Sequence, residues 1–122
     1  MRNSRLIMLG LLVAAACGKE NYGSGPGTGC TPSATQVCLV NTAFSPVLDT
    51  ITVGSRVVWV NADGFNHTST SSAVPASGPT WDKALASGAR DSVTFTVAGT
   101  YQYYCKIHGT PGSGMRATIV VK

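Results

Sequence analysis

This chain of 122 residues has little charge and little histidine: charged residues make up 11% of it, and histidine occurs twice. Soluble domains usually carry about 25% charged residues, so we expect neither a helical surface laced with ion pairs nor disorder driven by charge repulsion. Long hydrophobic runs are lacking too, because the apolar segment at residues 6–16 has eleven residues, whereas a membrane-spanning helix needs about 20. What remains is one domain with a hydrophobic content of 43%, enough for a packed core.

A clustered basic surface is also missing. The formal net charge of +4 comes from nine Lys and Arg against five Asp and Glu, and two of the nine, Arg2 and Arg5, precede the apolar segment. The other seven are spread along the chain, whereas nucleic-acid binders concentrate their basic residues in a stripe or patch. We therefore expect no nucleic-acid partner.

The N-terminal segment, residues 1–16, has the parts of an export signal. Arg2 and Arg5 supply a positive start, and a short apolar core follows that ends in three alanines, as in secretory signals. These small residues stand directly before Cys17, which resembles a bacterial lipobox and predicts a lipidated Cys17 as the mature N-terminus. The alternative is ordinary cleavage after Ala16, which leaves a free thiol.

A glycine-rich stretch follows the signal. Residues 18–29 read GKENYGSGPGTG and contain five glycines, and such a composition behaves as a flexible coil. We expect residues 17–29 to tether the lipidated N-terminus to a folded domain of residues 30–122. The expected location is outside the cytoplasm, on the periplasmic or cell-envelope face of a bacterial membrane, with the lipid as the membrane contact.

From residue 30 onward the sequence is typical of strands. Short β-branched and aromatic runs alternate with Gly, Pro, Ser and Asn, the pattern of an all-β domain. The predicted strands are residues 36–40, 48–53, 56–60, 92–97, 100–105 and 115–122. The second and third are expected to form a hairpin across Gly54-Ser55. Residues 70–89 are expected to be irregular, with one short helical turn near Trp81. Two packed sheets, antiparallel or mixed, complete the predicted sandwich.

Four side chains carry atoms that suit copper. Cys105 and His108 end one strand and open a loop, Met115 begins the last strand, and His67 lies well upstream. Two imidazoles and a thiolate favour copper, and a weak axial thioether stabilises Cu(I) without excluding Cu(II). Cys-x-x-His alone is a common spacing, whereas the four residues together are specific.

The chain resembles the cupredoxins, the small blue copper proteins, and among them the plastocyanin-like branch. The resemblance covers residues 37–122. It rests on FSP at 44–46, ITVGSRVVWVN at 51–61, DGFNHT at 63–68, GTYQYYCKIH at 99–108 and GM at 114–115. It implies a two-sheet Greek-key β-sandwich that holds one type 1 copper.

Carried over residue by residue, the resemblance makes His67, Cys105 and His108 the strong ligands and Met115 the long axial one. Asn66 and Thr68 flank the first histidine and are expected beside the ligands. A backbone N–H at Thr68 would hydrogen-bond the cysteine sulfur and tune the reduction potential.

The loop between His108 and Met115 departs from the family pattern. Six residues intervene, where plastocyanin-like proteins usually place four. Pro111 and the glycines at positions 109, 112 and 114 either fold the extra length outward as a bulge or leave Met115 farther from the metal.

The remaining cysteines favour a disulfide. Cys30 and Cys38 are separated by seven residues and can pair with each other, which fits an oxidising compartment. That pairing leaves Cys105 free to act as a ligand. The alternative is a structural disulfide from Cys105 to Cys30 or Cys38.

These features predict a monomeric, membrane-tethered electron carrier. It would exchange electrons with redox proteins of a respiratory or related chain through the exposed edge of His108. The alternative function is periplasmic storage or delivery of copper without electron shuttling. An enzyme is not expected, because copper oxidases and nitrite reductases need further histidines for a second copper centre and both histidines of this chain are already used.

Overall fold

The computed structural model describes residues 29–122, and this part of the chain forms nine β-strands. The strands are β1 Gln36–Val40, β2 Ala43–Ser45, β3 Leu48–Ile51, β4 Arg56–Asn61, β5 His67–Ala73, β6 Asp82–Leu85, β7 Arg90–Thr94, β8 Gly99–Thr110 and β9 Ser113–Val121. Within the described range, no helix has the length and apolarity needed to cross a membrane. The predicted signal at residues 1–16, the lipidated Cys17 and the tether up to residue 28 lie outside the described residues.

The strands form two mixed sheets. One has the strand order β2-β1-β4-β7, and the other has the order β3-β9-β8-β5-β6. Each sheet contains one parallel pair, β1 with β4 and β3 with β9, among antiparallel neighbours. The all-β, two-sheet sandwich predicted from the sequence is therefore confirmed.

Alternating side chains fill the space between the sheets. Tyr101, Tyr103 and Cys105 of β8 are buried, as the alternation of that strand predicts. Three aromatic rings occupy the middle of the core: Trp59, Trp81 and Tyr103 have ring centroids 5.5 to 5.9 Å apart. Trp59 belongs to β4 and Tyr103 to β8, so this cluster joins the two sheets, and burial of its apolar surface stabilises their packing.

The predicted hairpin across Gly54-Ser55 is wrong. A tight turn does form there, in which the Ser55 N–H bonds the Thr52 carbonyl at 3.1 Å and Gly54 has a φ of 91°. However, β3 pairs with β9 in one sheet, while β4 pairs with β1 and β7 in the other. Ile51 of β3 and Val57 and Trp59 of β4 belong to one hydrophobic core, and placing the two strands in opposite sheets lets both contribute to it.

Residues 70–89 are also more regular than predicted. The Thr- and Ser-rich β5 pairs with β8 and with β6, and Asp82–Leu85 forms β6 where a helical turn was expected near Trp81. Buried hydroxyls of β5 are satisfied internally, for example Ser69 Oγ, which accepts a 2.9 Å hydrogen bond from Trp81 Nε1. Internal hydrogen bonding lets a polar strand occupy a buried position, which its composition does not reveal.

Candidate metal centre

Cys105 and His108 lie where the β8–β9 ladder is interrupted. Tyr104 pairs with Arg116 and Gly109 pairs with Gly114, so four residues of β8 stand opposite a single residue of β9. That residue is Met115. An excess of residues on one strand bends it and redirects its side chains, and here it places Cys105, His108 and Met115 in the same stretch of the hairpin.

His67 comes from the strand on the other side of β8. It is the first residue of β5, which pairs with β8, while β9 pairs with the opposite edge of β8. The four predicted ligands are therefore carried by three adjacent strands of one sheet. Hydrogen-bonded strands hold side chains more firmly than free loops do.

Three donor atoms converge at this edge of the sheet. His67 Nδ1 lies 3.1 Å from His108 Nδ1, and Cys105 Sγ lies 3.7 and 3.6 Å from these two nitrogens. Nitrogen and sulfur ligands bind metal at about 2.0–2.3 Å, so two ligands of one ion lie about 3–4 Å apart. Among residues 29–122, these three residues form the group of His, Cys and acidic side chains close enough to share an ion. The donor set and its spacing fit one copper ion.

The three donors differ in their access to water. His67 is 1% exposed and Cys105 is 0% exposed, whereas His108 is half-buried. Phe65 covers both imidazoles, with its ring centroid 5.0 Å from that of His67 and 5.5 Å from that of His108. Phe65 itself is 46% exposed, and Ile107, next to His108 in sequence, is 56% exposed. The site thus meets solvent through His108, beside exposed apolar side chains.

Thr68 links the two ligand-bearing strands. Its N–H donates to Cys105 Sγ over 3.3 Å, and its Oγ1 accepts a 2.9 Å hydrogen bond from the N–H of Lys106. The sequence predicts the first of these contacts and does not predict the second. Asn66, the other residue expected beside the ligands, is exposed, and its role at the site stays a prediction.

Asp63 is a site residue that the sequence does not single out. Its Oδ2 lies 2.8 Å from His67 Nε2, on the side of the ring opposite Nδ1. Partial burial raises the pKa of Asp63, but hydrogen bonds from the Thr42 N–H, from His67 and from the Asn41 N–H outweigh burial and lower it. The signal in the sequence is an acidic residue four positions before a histidine, which is too common to stand out.

The loop between His108 and Met115 folds outward. β8 and β9 continue past the site as a hairpin up to the pair Thr110–Ser113, and the extra residues form its tip. A Cβ on Gly109 would lie 2.7 Å from Met115 N, and a Cβ on Gly114, where φ is 75°, would lie 2.7 Å from His108 O. Glycine therefore permits the close approach of the two strands. Met115 is buried in β9 opposite the Cys105–His108 segment, and its axial role stays a prediction.

Cys30 and Cys38 form a disulfide, with their Cα atoms 5.7 Å apart. Cys105 is buried and is the free cysteine of residues 29–122. A disulfide between Cys105 and Cys30 or Cys38 is therefore excluded, and the thiol group of Cys105 is available as a ligand.

Comparison with known proteins places these observations in a family. Residues 34–122 match the copper-binding proteins of the plastocyanin/azurin family. The chain is 37% identical over 86 residues to plastocyanin of Scenedesmus fuscus, an alignment that covers 65% of this chain and 86% of that protein.

Solved structures give the same fold. A purple cupredoxin from Nitrosopumilus maritimus superposes with a TM-score of 0.59 and 26% identity, covering 72% of this chain and 99% of that one. A copper-containing nitrite reductase from Thermus scotoductus superposes with a TM-score of 0.63 and 32% identity, covering 76% of this chain but 23% of that one. This chain therefore spans less than a quarter of the reductase.

Proposed function

Because this chain belongs to the plastocyanin/azurin family of copper-binding electron carriers, we propose that it carries single electrons between partner proteins on one type 1 copper. His67, Cys105 and His108 would be the strong ligands, and Met115 the weak axial ligand. The observation that carries this proposal is the convergence of one Sγ and two Nδ1 atoms within 3.7 Å of one another in a largely buried site.

The protein's own residues supply a fixed frame for the metal. Bound copper would contribute a one-electron Cu(I)/Cu(II) couple. The donors lie on adjacent strands, and the Thr68 N–H and Oγ1 tie the strand of His67 to that of Cys105. A frame held by such hydrogen bonds keeps the donor atoms in place when the charge of the site changes, and this suits rapid electron exchange.

His108 is the proposed exit and entry point for electrons. It is the least buried of the three donors. The ring of Phe65 packs against it, and the exposed Ile107 precedes it in sequence. Exposed apolar groups around a functional residue often mark an interaction surface. A redox partner of a respiratory or related chain would dock there.

The visible spectrum of the copper-loaded protein tests this proposal. Cu(II) added to the purified protein should produce an intense thiolate-to-copper band, and Cys105→Ser should abolish it. The matched control is the double variant Cys30→Ser/Cys38→Ser, which also removes sulfur but lies outside the donor group, and it should keep the band. A colourless wild-type protein, or a band that persists in Cys105→Ser, would contradict the proposal.

Copper storage or delivery is the second candidate function, and metal retention separates it from electron carriage. The complete burial of Cys105 favours a carrier, because an enclosed thiolate hinders transfer of the ion to another protein. A carrier should keep its copper through repeated reduction and oxidation in the presence of a competing Cu(I) chelator. A delivery protein should lose copper to the chelator within the first reduced interval.

We do not propose an enzymatic activity for this chain. Both of its histidines belong to the one donor group, so none is left for a second copper centre. The similarity to the nitrite reductase covers 23% of that enzyme. The copper-loaded protein, supplied with nitrite and an electron donor, should therefore give no turnover, and sustained nitrite consumption would contradict this view.

Membrane tethering completes the proposal and rests on the sequence alone. Lipidation of Cys17 and the glycine-rich residues 18–29 would hold a monomeric domain at the periplasmic or cell-envelope face. The mass of the mature protein should show a lipid on Cys17, and Cys17→Ala should release the protein from the membrane fraction. An unmodified thiol at Cys17 would support ordinary cleavage instead.

A further inference from the structure

The Asp63 carboxylate joins the buried histidine of the site to a turn in the other sheet. Asp63 lies between β4 and β5, and its Oδ2 is 2.8 Å from His67 Nε2. Oδ1 accepts a 2.8 Å hydrogen bond from the Asn41 N–H, and Oδ2 accepts one of 3.0 Å from the Thr42 N–H. Asn41 and Thr42 connect β1 to β2 with φ angles of 53° and 60°. One carboxylate thus links the metal site to the β1–β2 turn.

The structure holds this carboxylate in a fixed position. The side chain of Asp63 is 10% exposed. Its backbone N–H donates to Asn61 Oδ1 at 2.9 Å, and the Asn61 amide donates in turn to the carbonyls of Phe65 and Leu85 at 2.8 and 2.9 Å. The Asp63 carbonyl accepts a 2.7 Å hydrogen bond from Ser87 Oγ. A side chain anchored on both its carboxylate and its backbone can fix the orientation of the ring that it contacts.

The contact between Asp63 and Nε2 of His67 determines whether the other ring nitrogen, Nδ1, carries a proton or a free lone pair. An ionised carboxylate only accepts hydrogen bonds, so it requires a proton on Nε2 and leaves the Nδ1 lone pair free. Nδ1 is the nitrogen that faces Cys105 Sγ and His108 Nδ1. A carboxylate behind a metal-bound histidine also increases the basicity of that ligand.

We propose that Asp63 is a positioning residue that holds His67 as an Nδ1 donor and, through its charge, favours the oxidised over the reduced copper site. The inference rests on the proposed ligand role of His67. A purely structural role, in which Asp63 only stabilises the β1–β2 turn, would change the stability of the fold but not the properties of the metal.

The test compares Asp63→Asn with Asp91→Asn. Asp91 lies on β7, in the other sheet, and pairs with Lys83 at 3.3 Å, so the control removes the same charge away from the site. Asp63→Asn should bind Cu(II) about 10- to 100-fold more weakly. Each tenfold loss that is specific to Cu(II) corresponds to a rise of about 59 mV in the reduction potential. Asp91→Asn should leave both quantities unchanged.

The outcomes separate this inference from the proposed function. A wild-type protein without the blue band overturns both. A blue wild type together with a folded Asp63→Asn of unchanged potential and Cu(II) affinity overturns the inference alone. If Asp63→Asn does not fold, the nitrogen chemical shifts of the His67 ring in the metal-free wild type decide instead. A proton on Nε2 supports the inference, and a neutral ring with its proton on Nδ1 overturns it.

Discussion

The main chain of Thr68 donates a hydrogen bond to the sulfur of Cys105 across 3.3 Å, although 37 positions separate the two residues in the sequence. The side chain of Thr68 adds a second bond to the same strand, because its Oγ1 accepts from the Lys106 N–H at 2.9 Å. One residue thus contacts the donor atom and the backbone beside it. The two bonds can be tested separately, since a side-chain substitution removes only the second.

Thr68→Val removes the hydroxyl and keeps the N–H bond to sulfur. The partly buried Lys106 N–H and the buried Thr70 hydroxyl both lose a partner, and an unpaired buried polar group costs about 1–3 kcal/mol. We expect the free energy of unfolding of the metal-free protein to fall by this amount while the thiolate band is retained. The control is Thr50→Val, at an exposed position of β3, which should have little effect. Loss of the band in Thr68→Val would show that the hydroxyl, and not the N–H, maintains the thiolate.

Met115→Leu tests the axial ligand. Leucine has nearly the volume of methionine, and such exchanges usually cost less than about 1.5 kcal/mol, so the fold should persist. A thioether favours Cu(I) only in comparison with a stronger axial donor. When no axial donor is left, Cu(II) is destabilised more than Cu(I), and the reduction potential should rise by tens of millivolts, about 59 mV for each tenfold change in relative affinity. The blue band should remain.

Ile119→Leu serves as the control for this substitution. Ile119 is fully buried on the same strand and the same face as Met115, so the exchange also perturbs packing in β9. The reduction potential of Ile119→Leu should equal that of the wild type. If Met115→Leu has the same reduction potential as Ile119→Leu, Met115 is not a ligand.

The Cys30–Cys38 disulfide should contribute to stability and not to the metal site. It closes a loop of seven intervening residues, for which the chain-entropy relation gives about 2.5 kcal/mol. Cys30→Ala/Cys38→Ala should therefore lower the free energy of unfolding by about this amount in urea titrations. Treating the wild type with a reductant should give the same loss, whereas the double variant should not respond to reductant. A shift in the copper spectrum would contradict the expected independence.

Asp49→Asn should make stability less dependent on pH. Asp49 on β3 is buried, and its Oδ2 has no hydrogen-bond partner within the described part of the chain. Burial raises the pKa of this carboxyl, and a backbone hydrogen bond from Thr50 only partly offsets it. A raised pKa in the folded state means that ionisation destabilises the fold: the penalty is absent below the unfolded-state pKa of about 3.9 and complete above the folded-state pKa.

The gain from Asp49→Asn should accordingly appear near neutral pH and vanish in acid. We expect the gain to be largest near neutrality, with the difference from wild type shrinking as the pH approaches about 4. Urea unfolding at a series of pH values measures it. Asp91→Asn is the control for loss of charge, because the side chain of Asp91 is 42% exposed. A gain that is the same at every pH would refute the assignment of the penalty to ionisation.

Sequence patterns predicted the strands whose alternation is strong and missed those whose burial depends on partners. β8 and β9 alternate in burial, with Tyr101, Tyr103 and Cys105 of β8 and Ala117, Ile119 and Val121 of β9 buried, as the apolar residues at alternate positions indicate. β5 is rich in Thr and Ser, and its buried hydroxyls depend on Trp81 and on one another. Local composition carries no information about such partners, so the strand could not be recognised from it.

Pairing was less predictable than the strands themselves. The turn at Gly54-Ser55 was recognised, but whether its flanking strands pair or separate depends on the other strands available to each. β3 pairs with β9 and β4 pairs with β1, and in each pair the two strands are far apart in the sequence. The donor set was accessible because resemblance to a known family links His67 to the Cys105–His108 segment. The role of Asp63 could not be predicted from the sequence, because it depends on the position of a turn in the other sheet.

The pair Gly109–Gly114 divides the hairpin into a part that carries predicted ligands and a tip. In the sequence, residues 109–114 look like one loop. On the site side of the pair, His108 and Met115 are each directly adjacent to one of its glycines. On the far side, residues 110–113 are exposed and make the tip. The number of residues between His108 and Met115 therefore does not measure how far apart these two predicted ligands lie in the fold. A peptide inserted between Pro111 and Gly112, which are both exposed, should therefore leave the visible spectrum of the copper-loaded protein unchanged.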